Sequence, residues 1–247
     1  YQVGNHPGFH GWMLPLMSEV PGVVHLHDLV LHHMGAGVLH GEQRLMGGDY
    51  PAMLEKWHSS SEIKRASLAL RRGTPIWDLD EVVEYPMHQV ATKFATEVVV
   101  HSEYSARRIA EAFPWLPISV VPQLYPVAVP YRSRMRLETI AVLGGGQINR
   151  RFDWIVQALR ALDADLDHRV TLEVAGEVVP EAQRLLDTVA ALKHVTLVNH
   201  GHVSDETFQD VMMRADLMIA LRQPTMGEAS ADVSKALQAG RPTIVSD

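Results

Sequence analysis

Cysteine is absent from all 247 residues. Its absence removes disulfides, thiolate metal centres and cysteine nucleophiles together, and it fits a reducing compartment. A basic excess is missing as well. Lys and Arg number 22 against 29 Asp and Glu, a net charge of −7, so no domain-wide positive field exists to neutralise a nucleic-acid backbone. No apolar run reaches the length of a membrane span, and no signal-peptide pattern is legible. The expectation from these absences is a cytoplasmic protein without nucleic-acid partners.

What is present suits a packed globular chain. Hydrophobic residues make up 47% and charged residues 21%, enough for one large or two modest domains. From residue 139 onward, apolar runs alternate with helical periodicity. Runs at 139–143, 170–175, 195–198, 216–221 and 243–245 read as strands, the last of them buried. Between them 153–162, 181–192 and 205–215 read as helices, the last capped by Ser204, and another helix follows Ser230. That alternation predicts an α/β fold with a parallel sheet covered on both faces. In the first half 22–27, 97–101 and 118–121 read as strands, 105–113 as a helix, and 29–95 as mostly helical. Three prolines in 122–130 predict a semi-rigid linker, which divides the chain into domains at 1–130 and 131–247.

Four clusters sit at strand ends, where open α/β sheets bind ligands. Gly227 and Glu228 form a turn leading through Ala229 to Ser230, the expected N-cap of a helix that carries Asp232. A helix N-terminus attracts phosphate and a carboxylate beside it can bind hydroxyls, although an ordinary capped helix has the same pattern. Gly144, Gly145 and Gly146 lead through Gln147 to Arg150 and Arg151. This turn is neither a dinucleotide fingerprint nor a P-loop, and it reads as a phosphate-binding turn or as a tight turn with solvated Arg. His25 and His27 share one strand face, followed by Asp28 and, a turn later, His32 and His33. A polar substrate contact is preferred there to a metal, though His-x-His is a common ligand spacing. Residues 200–204, with His202 and Val203, read as a turn that wraps a base or merely reverses the chain. The aromatic, His- and Gly-rich stretch 1–12 adds flat surfaces of the kind that suit sugar rings.

Together these segments resemble the family 4 glycosyltransferases, which have the GT-B fold of two facing Rossmann-like domains. The resemblance rests on 22–28 ending in His-Asp, on 98–107 with Ser102 opening a helix, on the loop 144–153, and on 215–242 with its acidic turn. It implies a retaining, metal-independent transferase of polysaccharide biosynthesis. Such an enzyme uses a nucleotide-diphosphate sugar as donor substrate, no separate cofactor, and a glycan, lipid-linked or small-molecule acceptor. A peripheral position at the inner membrane face is compatible with it. By the same resemblance Glu228, His27 and Asp28 are catalytic. Gly145, Gly146, Arg150, Arg151, His202, Val203, Gly227, Ala229, Ser230 and Asp232 bind the donor. The resemblance also implies that Tyr1 lies inside the first domain, which is thus incomplete, and that a C-terminal helix lies beyond Asp247. The chain departs from the family at Lys235, where a second Glu is usual, and at Gln147, where an Arg is usual. Asp232 is the expected substitute for the missing ribose contact. Two other functions stay open: a metal-dependent hydrolase of amidohydrolase type with His25 and His27 as ligands, and a nucleotide-sugar-binding module without catalysis.

Overall fold

The computed structural model describes residues 1–40, 50–123, 136–146 and 148–246. Most of the expected linker (124–130) and Gln147 lie outside the described residues. The chain divides into two compact units, Tyr1–Gln123 with Pro224–Ala229, and Leu124–Gln223 with Ser230–Asp247.

The first unit carries a parallel sheet in the order β1 (Gln2–Val3), β2 (Gly22–Leu26), β3 (Ala95–Val100) and β4 (Ile118–Val120). The expected strands are there, and β1 is an addition. It pairs Gln2 with His25 and Val3 with Leu26, turning the stretch read as an aromatic-rich segment into a sheet edge. Short helices α1 (Pro7–His10) and α2 (Met13–Glu19) follow it. Between β2 and β3 come α3 (His32–His40), α4 (Tyr50–Leu54), α5 (Ser60–Arg71) and α6 (Gln89–Thr92). Helix α5 opens on a reciprocal cap: the Ser59 hydroxyl accepts the Glu62 N–H, while Glu62 accepts the Ser59 N–H at 2.7 Å. After β3, Ser102 caps α7 (Glu103–Ala112), accepting the Ser105 N–H at 3.2 Å. The helix therefore starts two residues before the expected 105.

The second unit is a five-stranded parallel sheet. Its strands are β5 (Thr139–Leu143), β6 (Val170–Ala175), β7 (Val195–Gly201), β8 (Leu217–Ala220) and β9 (Thr243–Val245), in the order β7-β6-β5-β8-β9. Helices α8 (Phe152–Asp163), α9 (Pro180–Asp187), α10 (Asp205–Arg214) and α11 (Ala231–Gln238) alternate with them. Alternation along β5 sends Ile140 and Val142 into one core and Ala141 and Leu143 into another, so both faces of the sheet are covered. The Asp216 carboxylate accepts the N–H groups of Glu138 and Thr139, each at 2.9 Å, and so fixes where β5 begins.

Three expectations need correction. The helix expected over 181–192 ends at Asp187 and continues as a 3-10 turn, Thr188–Ala191. Strand β7 runs on through Gly201, so His200 is a strand residue and only 202–204 form the turn. Strand β9 is not buried. It lies at the sheet edge with Ile244 49% and Val245 50% exposed, because nothing among the described residues packs on its outer side.

The first unit's core contains two buried imidazoles. His32 donates from Nδ1 to the Tyr85 carbonyl and accepts from the Tyr50 hydroxyl at Nε2, both at 2.7 Å. Burial pushes its pKa from 6.5 down to about 4, and burial followed by Arg108 does the same to His88. Between these values the unfolded chain binds more protons than the folded one. The stabilising contribution is therefore complete above pH 6.5 and is lost as pH falls toward about 4. The urea midpoint of the first unit's unfolding should fall across that window, and less steeply in His32→Gln; a flat profile would contradict the assignment.

Candidate functional site

The strand order of the second unit reverses beside β5: the chain goes from β5 to β6 on one side and later to β8 on the other. A reversal of this kind opens a crevice at the carboxyl ends of the two central strands. The Gly144–Gly146 turn follows β5, and the segment leading to Ser230 follows β8, so both phosphate-site candidates of this unit border the same crevice.

A buried ion pair joins them. Arg150 donates from Nη2 to Asp232 Oδ2 at 2.7 Å and from Nε to the Gly145 carbonyl at 3.1 Å. Its side chain is 4% exposed and that of Asp232 14%. The Gln223 N–H adds a second tie, to the Asn149 carbonyl at 2.8 Å. Gly144 sits beneath the pair at φ +86°, where a Cβ would lie 2.5 Å from Arg150 Nη2 and 2.6 Å from Asp232 Oδ2. Gly146 is pressed against Val178, whereas a Cβ on Gly145 would meet nothing within 4 Å. Gly145 thus leaves its backbone open to a ligand.

The other residues expected at a donor site differ in their engagement. Arg151, in a left-handed conformation, grips Asp153 at 2.9 and 2.7 Å and lies 3.5 Å over the Trp154 ring. That contact with Arg151 is the leading reason the Asp153 carboxyl sits below its usual range. Ser230 caps α11, its hydroxyl accepting the Val233 N–H at 3.4 Å. Lys235 stands 5.0 Å over the Phe208 ring. His202 is exposed and Val203 half-buried, just ahead of Ser204, the N-cap of α10. His200 meets Glu173 at 2.7 Å, and Arg214 binds the same carboxylate through two nitrogens. Arg214 first, then His200, holds the Glu173 carboxyl below its usual range, against the effect of burial.

Within the first unit, Gly227 has φ +64°, and a Cβ there would come within 2.7 Å of Leu29 Cβ. The Val30 N–H donates to the Met226 carbonyl at 2.8 Å, and the Ser105 hydroxyl to the Gly227 carbonyl at 3.3 Å. Glu228 closes this turn: its Oε2 accepts the Met226 N–H at 2.6 Å and the Thr225 hydroxyl at 3.2 Å. Ala229 follows as a partly exposed link. Asp28 Oδ2 accepts the Asn5 N–H at 2.8 Å.

His25 and His27 do meet a third imidazole, that of His101 at the end of β3, which the sequence pattern does not single out. Its only signal is its place just after an apolar strand, and using it requires the register that sets His25 beside Val99. His32 and His33 do not join this group: His32 is locked in the core, and His33 contacts Asn5 and Asp78. Burial first, and then the neighbouring imidazoles, lower the pKa of His25 and of His27. A hydrolase of amidohydrolase type would need His and Asp at other strand ends besides His25 and His27. His101 is one, but among the described residues no Asp or Glu enters the group.

No protein-family model matches the sequence, and no curated protein matches it. Solved structures do. The structure of HepE of Anabaena in complex with UDP and glucose is 13% identical with a TM-score of 0.51, over 92% of this chain and 53% of that one. The pneumococcal O-GlcNAc transferase GtfA in complex with UDP and GlcNAc is 13% identical with a TM-score of 0.51, over 96% of this chain and 44% of that one. This chain therefore spans about half the length of the structures it matches. At such identity the likeness is one of fold, the parallel α/β architecture of the GT-B glycosyltransferases. No helix among the described residues is long and apolar enough to cross a membrane.

The packing separates two neighbouring glycines. Gly144→Ala places a side chain in a left-handed conformation against the ion pair and should cost about 1–3 kcal/mol. Gly145→Ala should be nearly neutral for stability. Urea unfolding of both variants checks this, and equal stabilities would refute the assigned packing.

Proposed function

We propose that the protein transfers a sugar from a nucleotide-diphosphate donor with retention of configuration. The observation that carries this reading is the crevice of the second unit, bordered by an open glycine backbone and by the N-terminus of α11 and braced by Arg150 and Asp232. The UDP complexes of HepE and GtfA, of the same architecture, support it.

The leaving group is a nucleoside diphosphate, so catalysis needs positive charge where negative charge develops. We assign that charge to Arg151 and to the helix start at Ser230, and phosphate contact to the backbone of Gly145; the Gly146 N–H, expected to share that contact, is instead taken by the Glu177 carbonyl at 2.7 Å. Metal is not required for this step. Arg150 acts by holding the turn in place. Asp232, in the position we assign to a ribose contact, keeps one carboxylate oxygen for Arg150. His202 and Val203 contribute backbone groups to the base. Gly227 shapes the turn that presents Glu228, and Ala229 carries the chain on to the cap.

Glu228 is assigned to the donor-sugar hydroxyls, where its negative charge favours the cationic ring of the transition state. His27 offers Nε2–H to a sugar hydroxyl in exchange for its present partner Gln2, with Asp28 beside it. No carboxylate nucleophile is needed if the acceptor attacks the face from which the diphosphate departs. The acceptor is a glycan or a lipid-linked sugar, which places the enzyme in the cytoplasm or at the inner face of a membrane. We assign the first unit, with Pro224–Ala229, to the acceptor side and the second unit to the donor side, in place of the simple division at residue 130.

Two measurements test the reading. Calorimetry with a panel of nucleoside diphosphates should find one that binds, and Arg151→Ala should weaken it by about 1.5–3 kcal/mol, the scale of a charged hydrogen bond. Failure of every nucleotide to bind would end the proposal. Glu228→Gln retains an acceptor for the Met226 N–H, so the turn should persist and diphosphate affinity should not change. Turnover with the matching donor should fall by about 100-fold or more. Turnover within a few-fold of the unsubstituted chain would remove Glu228 from the site. Binding without any turnover would identify a nucleotide-sugar-binding module instead.

A further inference from the structure

The first unit holds a group of three imidazoles, of which the transfer reading uses only the outer nitrogen of His27. His25 and His27 come from the end of β2 and His101 from the end of β3, and one nitrogen from each lies within 4.8 Å of the other two. His25 Nε2 is 3.2 Å from His101 Nε2, which in turn is 3.4 Å from His27 Nδ1. All three side chains are partly exposed.

The outer hydrogen bonds decide which nitrogens carry protons. His101 Nδ1 lies 2.8 Å from the Val121 carbonyl, which can only accept, so Nδ1 bears the hydrogen and Nε2 a lone pair. His27 Nε2 lies 2.7 Å from the Gln2 side-chain oxygen, so Nε2 bears the hydrogen and Nδ1 a lone pair. Two lone pairs, each fixed by its own outer partner, therefore point at one another. One hydrogen on His25 can satisfy His101 but not His27 as well. A single cation satisfies all three.

We propose that this group is a metal site of the first unit, binding Zn²⁺ through His25 Nε2, His27 Nδ1 and His101 Nε2. The spacing supports it: ligands about 2.0–2.1 Å from a tetrahedral zinc ion lie about 3.3–3.4 Å apart. The donor set supports it too. Imidazoles without carboxylate or thiolate select zinc and its neighbours over Mg²⁺ or Ca²⁺. The Val121 carbonyl and the Gln2 amide are outer partners of the kind that orient metal-bound histidines. Three protein ligands at a solvent-reached strand end leave the fourth position to water or a substrate oxygen. The proposal does not rest on the transferase reading, and His27 Nε2 stays free of the metal in either case.

Zinc chloride titrated calorimetrically into the chelator-treated chain tests it. The expected result is one zinc ion per chain, with affinity lowered at least about 100-fold in His101→Ala and in His27→Ala. Gln2→Ala should weaken binding about 10–100-fold, as loss of an outer partner does. His168→Ala, far along the sequence in the second unit, should bind as the unsubstituted chain does. Cobalt loaded in place of zinc should give the intense visible absorption of a tetrahedral centre, absent in His101→Ala. No saturable zinc binding, or affinity in folded His101→Ala and His27→Ala unchanged from that of the unsubstituted chain, overturns the site. Gln2 is exposed on the edge strand, so its variant keeps the fold and tests the site even if the histidine variants do not fold. Unchanged affinity in Gln2→Ala overturns the assigned tautomers and with them the proposal.

Discussion

The buried pair between Arg150 and Asp232 links positions 82 residues apart, and the geometry of the second unit's crevice follows from it. Together with the Gln223–Asn149 backbone bond, it ties the glycine turn after β5 to the start of α11. Two charges so deeply buried are costly to desolvate, and the cost is recovered only if geometry and extra hydrogen bonds are good. Here the Gly145 carbonyl supplies the extra bond, and the missing side chain of Gly144 supplies the room. Losing either partner alone would strand a buried charge, typically at about 3–5 kcal/mol. The pair thus acts as a brace for the loops, while Arg151 beside it in sequence is engaged with Asp153 and the Trp154 ring.

The first unit builds its strand ends on a different principle. No buried ion pair among the described residues organises them. Parallel register brings His25, His27 and His101 together, and a two-residue edge strand supplies Gln2 to fix one ring. The same short strand carries the chain to Asn5, whose N–H meets Asp28 and whose side chain meets the Met34 N–H. A few backbone pairings at the start of the chain therefore set the orientation of several polar side chains at once.

Much of this was legible in the sequence, for identifiable reasons. The strands of the second unit are continuous apolar runs because both faces are covered, and Ser102, Ser204 and Ser230 mark helix starts because each hydroxyl takes up an otherwise unpaired N–H. The Glu228 turn could be seen from Gly227. What stayed hidden depends on distant partners. Strand β1 is too short to show a period, and it exists only because β2 lies beside it. His200 looked like a turn residue because polar side chains end an apolar run, yet backbone pairing continues to Gly201. Strand β9 looked buried because Ile244 and Val245 are apolar, although it is an edge. Arg150 looked like a free phosphate ligand because nothing local announces Asp232. The sequence thus offered candidates residue by residue, while the bonds that organise the crevice were not legible in it.

The assignment of Pro224–Ala229 to the first unit has a consequence for how the protein is made. The Ser105 hydroxyl waits for a carbonyl 122 residues further on, and Leu29 and Val30 wait for the same hexapeptide. During synthesis residues 1–123 leave the ribosome early but lack part of their own packing until Pro224–Ala229 has followed. Strands β5 to β8 are translated inside that interval. The ordinary rule that one domain is complete before the next is begun does not hold here: the first unit is completed only after those strands, and a chain cut before residue 224 would leave it with an uncovered patch.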